Sequence, residues 1–99
     1  MPGFRLSQAA MADLGHIARH TGTRWGRAQR NRSLVRLDEA FHLLAARPGI
    51  GTPADGVRRG YRRFTVGAHV IWYRTGAGGR VEVIRVLHKH MLPTRRRLG

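Results

Sequence analysis

The chain has 99 residues, enough for one domain with a thin hydrophobic core. It carries 19 Lys and Arg residues against 5 acidic ones, a net charge of +14, and no cysteine, which excludes a disulfide framework and thiolate chemistry. No stretch approaches the ~20 apolar residues of a membrane span, and the N-terminus lacks the apolar core of a signal peptide, so we expect a cytoplasmic protein.

The excess of positive charge favours a polyanionic or acidic partner, such as nucleic acid, a nucleic-acid enzyme or an acidic protein. A basic surface that is simply solvated is the alternative. Charge of this kind indicates the type of partner and does not identify it.

The N-terminal half predicts a short strand followed by a helical hairpin. Residues 4–6 are a short apolar segment, and Ser7 is a good N-cap for a helix whose apolar positions recur at spacings of four and three. We predict that this helix ends at Gly22, and that a Gly-Thr turn leads into a second helix over residues 24–46, ended by Pro48. The second helix has an arginine-rich first half and an apolar stripe formed by Leu34, Leu37, Phe41, Leu44 and Ala45.

The C-terminal half predicts three consecutive antiparallel strands between residues 58 and 88. After a connecting loop over residues 50–56, β-branched and aromatic residues form three runs that glycine separates, with turns at 66–68 and 75–79. The alternation of each strand predicts its two faces, although the pattern does not indicate which face is the core. These sets are His69, Ile71 and Tyr73 against Val70, Trp72 and Arg74, and then Val81, Val83, Arg85 and Leu87 against Glu82, Ile84, Val86 and His88.

Together these elements predict an α+β fold of order β-α-α-β-β-β, in which a helical hairpin packs on a small, mostly antiparallel sheet. We expect one domain over residues 1–99, with a flexible basic C-terminal tail from about residue 89.

Several kinds of catalytic or cofactor site are excluded by composition. His16 and His20 have a spacing that can hold a metal, but no carboxylate or cysteine accompanies them, so we expect no metal. The glycines of the 75–79 turn lack the lysine and the following helix of a phosphate loop, and there is no serine-histidine-acid set. Carboxylates are too few for paired acid–base work, so we expect no cofactor and no hydrolytic centre of those kinds.

Arginine and histidine chemistry on phosphates remains possible. Arg62, Arg85 and His88 could converge on one sheet face and cleave RNA with the 2′-hydroxyl as nucleophile. The alternative is that the arginines are solvated and that His88 closes a hydrogen bond at the end of its strand. Aromatic residues interleave with arginine in the sequence. Either they stack on nucleic-acid bases, or they are buried in the sheet. These residues are Trp25, Tyr61, Trp72 and Tyr73.

Several segments, in the right order along residues 4–92, resemble the RelE/ParE superfamily of bacterial toxins. Three lie in the sheet region: residues 58–62 (Arg-Arg-Gly-Tyr-Arg), residues 67–74 (Gly-Ala-His-Val-Ile-Trp-Tyr-Arg), and residues 83–88 followed by Met91. Two in the hairpin region are similar to the ParE branch in particular. They are Leu6-Ser7 with Ala10, Asp13 and Leu14, and Trp25-Gly26 with Gln29.

This resemblance implies the toxin of a type II toxin–antitoxin system of the plasmid-stabilisation kind. Such a toxin has no catalytic site and arrests growth by binding and poisoning DNA gyrase. It is neutralised by an acidic ParD-like antitoxin. The toxin contacts operator DNA only indirectly, through that antitoxin. We expect the antitoxin to bind in the apolar groove beside the hairpin. The candidate contact residues are Leu14, Ile17, Trp25, Leu34, Leu37 and Phe41. We expect gyrase to be bound by the basic C-terminal region. The candidate contact residues are His88, Met91, Arg95, Arg96 and Arg97.

Two alternatives stay open within the resemblance. One is a RelE-like ribosome-dependent mRNA endoribonuclease that uses Arg62, Arg85 and His88. RelE-type toxins often carry a C-terminal tyrosine, whereas the last tyrosine of this chain is Tyr73. The other alternative is a degenerate, non-toxic binding module.

Overall fold

The computed structural model describes residues 3–91, in which a two-helix hairpin covers one face of a five-stranded sheet. The strand order is β1-β5-β4-β3-β2; β1 runs parallel to β5, and every other neighbouring pair is antiparallel. This arrangement confirms the predicted α+β fold. Neither helix of the described range is long and apolar enough to cross a lipid bilayer. The elements are β1 (Phe4–Leu6), α1 (Gln8–Trp25), α2 (Arg27–Ala46), β2 (Thr52–Pro53), β3 (Arg62–Val66), β4 (His69–Thr75) and β5 (Val81–His88).

The junction between the two helices lies four residues later than predicted. Helix α1 begins as expected, since the Ser7 hydroxyl accepts a hydrogen bond from the Ala10 N–H at 2.9 Å. It then continues through Gly22, whose carbonyl accepts a hydrogen bond from the Gly26 N–H at 3.2 Å. The predicted turn at residues 22–23 is therefore wrong. The chain turns at Gly26, where φ is +90°, a conformation that favours glycine. Helix α1 tolerates Gly22 in its interior, because a glycine there costs only about 1 kcal/mol.

Both faces of the sheet are buried. On the helix side, the α2 stripe packs against β4 and β5 in a core that includes Leu37, Phe41, Leu44, Ile71 and Tyr73. On the other side, the segment between β2 and β3 covers a smaller cluster. Its buried members are Ala54, Tyr61, Val70, Trp72 and Leu87. The predicted alternation of β4 is confirmed, and each of its two faces belongs to a core.

Strand β5 does not alternate regularly as predicted. Tyr73 pairs with Val83 but the preceding Trp72 pairs with Arg85, so Ile84 is an extra residue that forms a β-bulge. Beyond the bulge, Val86 continues the helix-side core and Leu87 belongs to the opposite cluster, against which Ile84 also packs. The predicted face is therefore right for Ile84, which lies opposite Val83, and wrong for Val86 and Leu87, which exchange faces. A bulge changes the alternation of the residues that follow it. Arg85 meets helix α1, on the helix side of the sheet where its predicted grouping with Val83 placed it.

The predicted connecting loop over residues 50–56 contains a short edge strand, β2, which pairs with β3. A buried tyrosine holds the segment that leads into it: the Tyr73 hydroxyl donates to the Pro48 carbonyl at 2.8 Å and accepts from the Gly51 N–H at 2.9 Å. A Cβ atom on Gly51 would clash with the Tyr73 hydroxyl and would lie 2.8 Å from the Arg63 carbonyl. Glycine is required at this position because the tyrosine approaches the backbone directly.

Candidate functional site

A groove of ≈ 790 Å³ lies between the helical hairpin and the end of the sheet at which β4 begins and β5 ends. Helix α1 and the first turns of α2 form one wall, and the strands form the other. We call it the histidine groove, because two histidines from helix α1 and two from the strands line it. Its lining residues are Asp13, His16, Ile17, His20, Thr21, Trp25, Gln29, Ser33, Ala68, His69, Arg85, Val86, Leu87, His88 and Met91.

An ion pair between Asp13 and Arg85 joins helix α1 to strand β5 at this groove. Arg85 donates two hydrogen bonds to the Asp13 carboxylate, from Nε at 2.7 Å and from Nη2 at 2.8 Å. The Val86 N–H donates a third, at 3.0 Å, and Asp13 is only 7% exposed. The hydrogen bond to Asp13 raises the pKa of Arg85, against the opposing effect of burial. The Arg85 guanidinium thus links the hairpin to the sheet.

Histidines meet where β4 and β5 pair at the edge of the groove. His69 lies opposite His88 in the sheet, and their ring centroids are 5.8 Å apart. Burial, and then the neighbouring His88, lower the pKa of His69, so its neutral form is favoured. His88 Nδ1 accepts a hydrogen bond from the His90 N–H at 3.2 Å, which agrees with the alternative that His88 closes the end of its strand. Within residues 3–91, no group of three or more histidines and carboxylates has the geometry of a metal site.

The structure does not bring Arg62, Arg85 and His88 together. Arg62 donates to the Gly51 carbonyl at 2.8 Å and so belongs to the loop that Tyr73 organises. In the sheet, Arg62 pairs with Tyr73 and His88 pairs with His69. Arg62 and His88 are therefore offset by four residues along β4, which is roughly 13 Å at the rise of a strand. Arg85 is bound to Asp13. The structure therefore does not show the convergence that the ribonuclease alternative requires, because each arginine has a structural partner.

The six residues expected to contact the antitoxin differ in accessibility. Leu37 and Phe41 are each 2% exposed and belong to the core, because their stripe is the face that covers the sheet. Ile17 is also buried but lines the histidine groove, and Leu14 packs against the core. Trp25 is 67% exposed at the groove. The remaining residue, Leu34, is half-buried.

The residues expected to contact gyrase are described only in part. His88 and Met91 both line the histidine groove, and both are exposed. The Lys89 N–H donates to the Ala68 carbonyl and the Met91 N–H to the His88 carbonyl, each at 2.8 Å, so the described start of the predicted tail is hydrogen-bonded to the domain. Arg95, Arg96 and Arg97 lie outside the described residues.

Sequence reasoning missed the histidine groove as a unit. Its helix histidines, His16 and His20, were considered only as an isolated pair, and His69 was not singled out. The available signal was the predicted pairing of the second and third strands, which places His69 beside His88. Packing of helix α1 across that end of the sheet is a tertiary contact that no local pattern encodes.

The sequence and the fold both match known toxins. A family model described as the ParE toxin of the type II toxin–antitoxin system parDE matches residues 4–93. Toxin ParE1 of Caulobacter vibrioides is 43% identical over 91 residues, which cover 92% of this chain and 93% of that toxin. Toxin ParE1 of Mycobacterium tuberculosis is 41% identical over 88 residues, which cover 89% and 90%.

A solved structure described as the chromosomal ParDE TA system from P. aeruginosa has the same fold. Its matching chain superposes with a TM-score of 0.74, covering 86% of this chain and 92% of that one. The two sequences are 21% identical, so this match concerns the fold alone.

Proposed function

Because this chain belongs to the ParE toxin family of type II toxin–antitoxin systems, we propose that it arrests growth by binding and poisoning DNA gyrase. We propose further that a ParD-like antitoxin neutralises it. The family match over residues 4–93 is the observation that carries this proposal.

Action by binding, without a catalytic centre, is supported by the partners of the two candidate arginines. Arg85 forms a bidentate ion pair with Asp13, and Arg62 donates to backbone carbonyls. General acid–base cleavage of RNA needs groups that reach the same phosphate within hydrogen-bond distance. Arg62 and His88 are separated by several residues along the sheet, so the described residues favour a binding protein over a ribonuclease.

The histidine groove is the surface that we assign to the antitoxin. It offers apolar contacts at Ile17, Trp25 and Met91 beside polar histidines, a combination that suits an amphipathic segment. An antitoxin with an acidic segment also meets a chain of net charge +14, which favours fast association. His88 and Met91 line the same groove, so an antitoxin lying in it would cover both gyrase candidates. Neutralisation by occlusion follows from this overlap.

The experiment that tests the proposed activity is a supercoiling assay with purified gyrase and the full chain. We expect loss of supercoiling and accumulation of cleaved DNA, both reversed by the antitoxin encoded beside the toxin gene. Expression of the chain alone should produce filamentation and a DNA damage response while mRNA stays intact. Early mRNA cleavage would transfer the assignment to the ribonuclease alternative, and unimpaired growth would leave a non-toxic binding module.

A variant pair tests the assignment of the groove. Trp25→Ala removes an exposed aromatic side chain from the groove, and we expect the antitoxin to dissociate at least tenfold faster. Met11→Ala is the matched control, because Met11 is an exposed apolar residue of the same helix that does not line the groove. Equal dissociation rates for the two variants would remove Trp25 and the groove from the antitoxin interface.

A further inference from the structure

The helical hairpin carries a long stretch of uncompensated positive charge. Residues 14–37 contain no aspartate or glutamate, and the described carboxylates on either side in sequence, Asp13 and Asp38, pair with Arg85 and His42. No ion pair in residues 3–91 involves the arginines of this stretch. The arginines are Arg19, Arg24, Arg27, Arg30, Arg32 and Arg36.

Three of these arginines line one cleft, which we call the hairpin cleft. Arg19 projects from helix α1, and Arg27 and Arg30 project from α2, around a volume of ≈ 810 Å³. Gly22 lies between the two helices in this cleft, and a Cβ atom there would make an ordinary van der Waals contact with Arg30 Cδ, at 3.4 Å. The other lining residues are His16, Ala18, His20, Gly22 and Thr23.

We propose that the hairpin cleft binds the sugar–phosphate backbone of nucleic acid. Guanidinium groups present planar forks of N–H donors that match phosphate oxygens. Arg27 and Arg30 are three residues apart in a helix, about 4.5 Å along its axis, a spacing of the same order as the phosphates of one strand. The binding would be sequence-independent and would weaken as salt rises, because it releases counterions. This inference does not depend on gyrase being the target.

The composition of the cleft favours nucleic acid over an acidic protein segment. A segment that folds on binding must bury apolar surface to offset its ordering, and Ala18 is the single apolar side chain among the lining residues of the hairpin cleft. The histidine groove, by contrast, offers Ile17, Trp25 and Met91. A phosphate backbone needs cations and no apolar contact, which is what the hairpin cleft provides.

An exposed aromatic residue at the helix junction adds a surface for a base or a sugar. Tyr61, Trp72 and Tyr73 are buried, whereas Trp25 is largely exposed, with the Arg24 guanidinium carbon 5.8 Å from its ring centroid. Aromatic and guanidinium planes both accept stacked bases. Trp25 lies two residues before Arg27, the first residue of α2 and one of the residues that line the hairpin cleft.

The test measures binding of the full chain to a labelled 20-base-pair DNA duplex and to the matching RNA duplex, by fluorescence anisotropy over a range of salt concentrations. The test variant carries Arg19→Gln, Arg27→Gln and Arg30→Gln. The control carries Arg47→Gln, Arg63→Gln and Arg80→Gln, three exposed arginines that form no ion pair in residues 3–91. Both variants lose three charges, so a difference between them reports position and not net charge.

We expect the cleft variant to bind at least tenfold more weakly, and the control less than threefold. The slope of log K against log[salt] should fall in magnitude by about 2 to 3 for the cleft variant, since each lost phosphate contact contributes about 0.9. The DNA and RNA duplexes distinguish which nucleic acid is preferred. The far-UV circular dichroism spectrum of both variants should match that of the unmodified chain, which shows that they fold. The single change Arg27→Glu provides a second test, in which the charge of only one side chain is reversed.

Two results would overturn the proposal. Equal losses of affinity in the cleft and control variants would mean that diffuse charge, not the cleft, holds the duplex. Binding of a polyglutamate peptide of the same charge, as tightly as DNA and with the same dependence on the cleft arginines, would mean that the cleft serves an acidic protein.

Discussion

Replacing Asp13 tests the main connection between the hairpin and the sheet. In Asp13→Ala, the Arg85 guanidinium loses both of its carboxylate hydrogen bonds and the Val86 N–H loses its acceptor. Removing one partner of a buried ion pair costs about 3–5 kcal/mol. The Arg85 side chain is 20% exposed, so we expect a loss at the lower end of this range. A small domain has an unfolding free energy of about 5–15 kcal/mol, so the variant should lose a substantial part of its stability.

The measurement is urea unfolding of the full chain, followed by far-UV circular dichroism. Asp13→Asn keeps an acceptor oxygen for the Val86 N–H but loses the charge, so we expect a smaller loss of about 1.5–3 kcal/mol. The double variant Asp13→Ala with Arg85→Ala removes the partly buried cation as well. Its loss should be about 2 kcal/mol smaller than the sum of the two single losses.

Asp38→Ala is the matched control, since Asp38 is an exposed helix carboxylate whose nearest ion-pair contact, to His42 Nε2, is 3.6 Å long. It should change the unfolding free energy by no more than about 0.5 kcal/mol. The reasoning would be refuted if Asp13→Ala cost no more than this control, or if the losses at Asp13 and Arg85 were simply additive.

Three further predictions concern the loop before β2 and the histidine pair. Tyr73→Phe should lower the unfolding free energy by about 2 kcal/mol, because it leaves the buried Gly51 N–H and the Pro48 carbonyl without their shared partner; an unchanged urea midpoint would contradict this role. Gly51→Ala should cost about 1–3 kcal/mol through overpacking against the Tyr73 ring and the neighbouring strand, whereas Gly49→Ala, which meets no atom within 4 Å, should be near neutral; similar losses for the two would contradict the steric explanation. The lowered pKa of His69 means that the unfolded chain binds a proton more readily than the folded one, so this residue's contribution to stability is present above pH about 6.5 and is lost as the pH falls below it. Stability measured between pH 7.5 and 5.5 should therefore fall more steeply for the unmodified chain than for His69→Gln, and parallel profiles would show that His69 does not contribute.

Much of the fold follows from local patterns. The Ser7 cap, the apolar stripe of α2 and the glycines that separate the strands each act within a few residues, so they predicted a strand, a hairpin and a sheet in the right order. The position of the helix junction was not predictable in this way. Gly22 and Gly26 are both compatible with a helix end, and only the path of the chain decides which of them takes the positive φ.

The candidate site was less predictable than the fold, because it depends on contacts between distant segments. Strict alternation placed Arg85 on the face of Val83 but did not indicate its partner, which is Asp13, 72 residues away. The bulge at Ile84 changes the register and exchanges the faces of Val86 and Leu87. The same packing turns Leu37 from a surface candidate into a core residue.

By itself, the sequence determined the class of the protein: its charge, its lack of cysteine, the order of its elements and its similarity to toxins are properties of the chain that need no coordinates. Only the tertiary structure decided which side chains are available to partners. An arginine or a leucine has the same local pattern whether it is buried, paired or exposed, and its accessibility depends on what the fold packs against it. Arg85 and Leu37 are used to hold the domain together, while Trp25 and Arg27 remain at the surface.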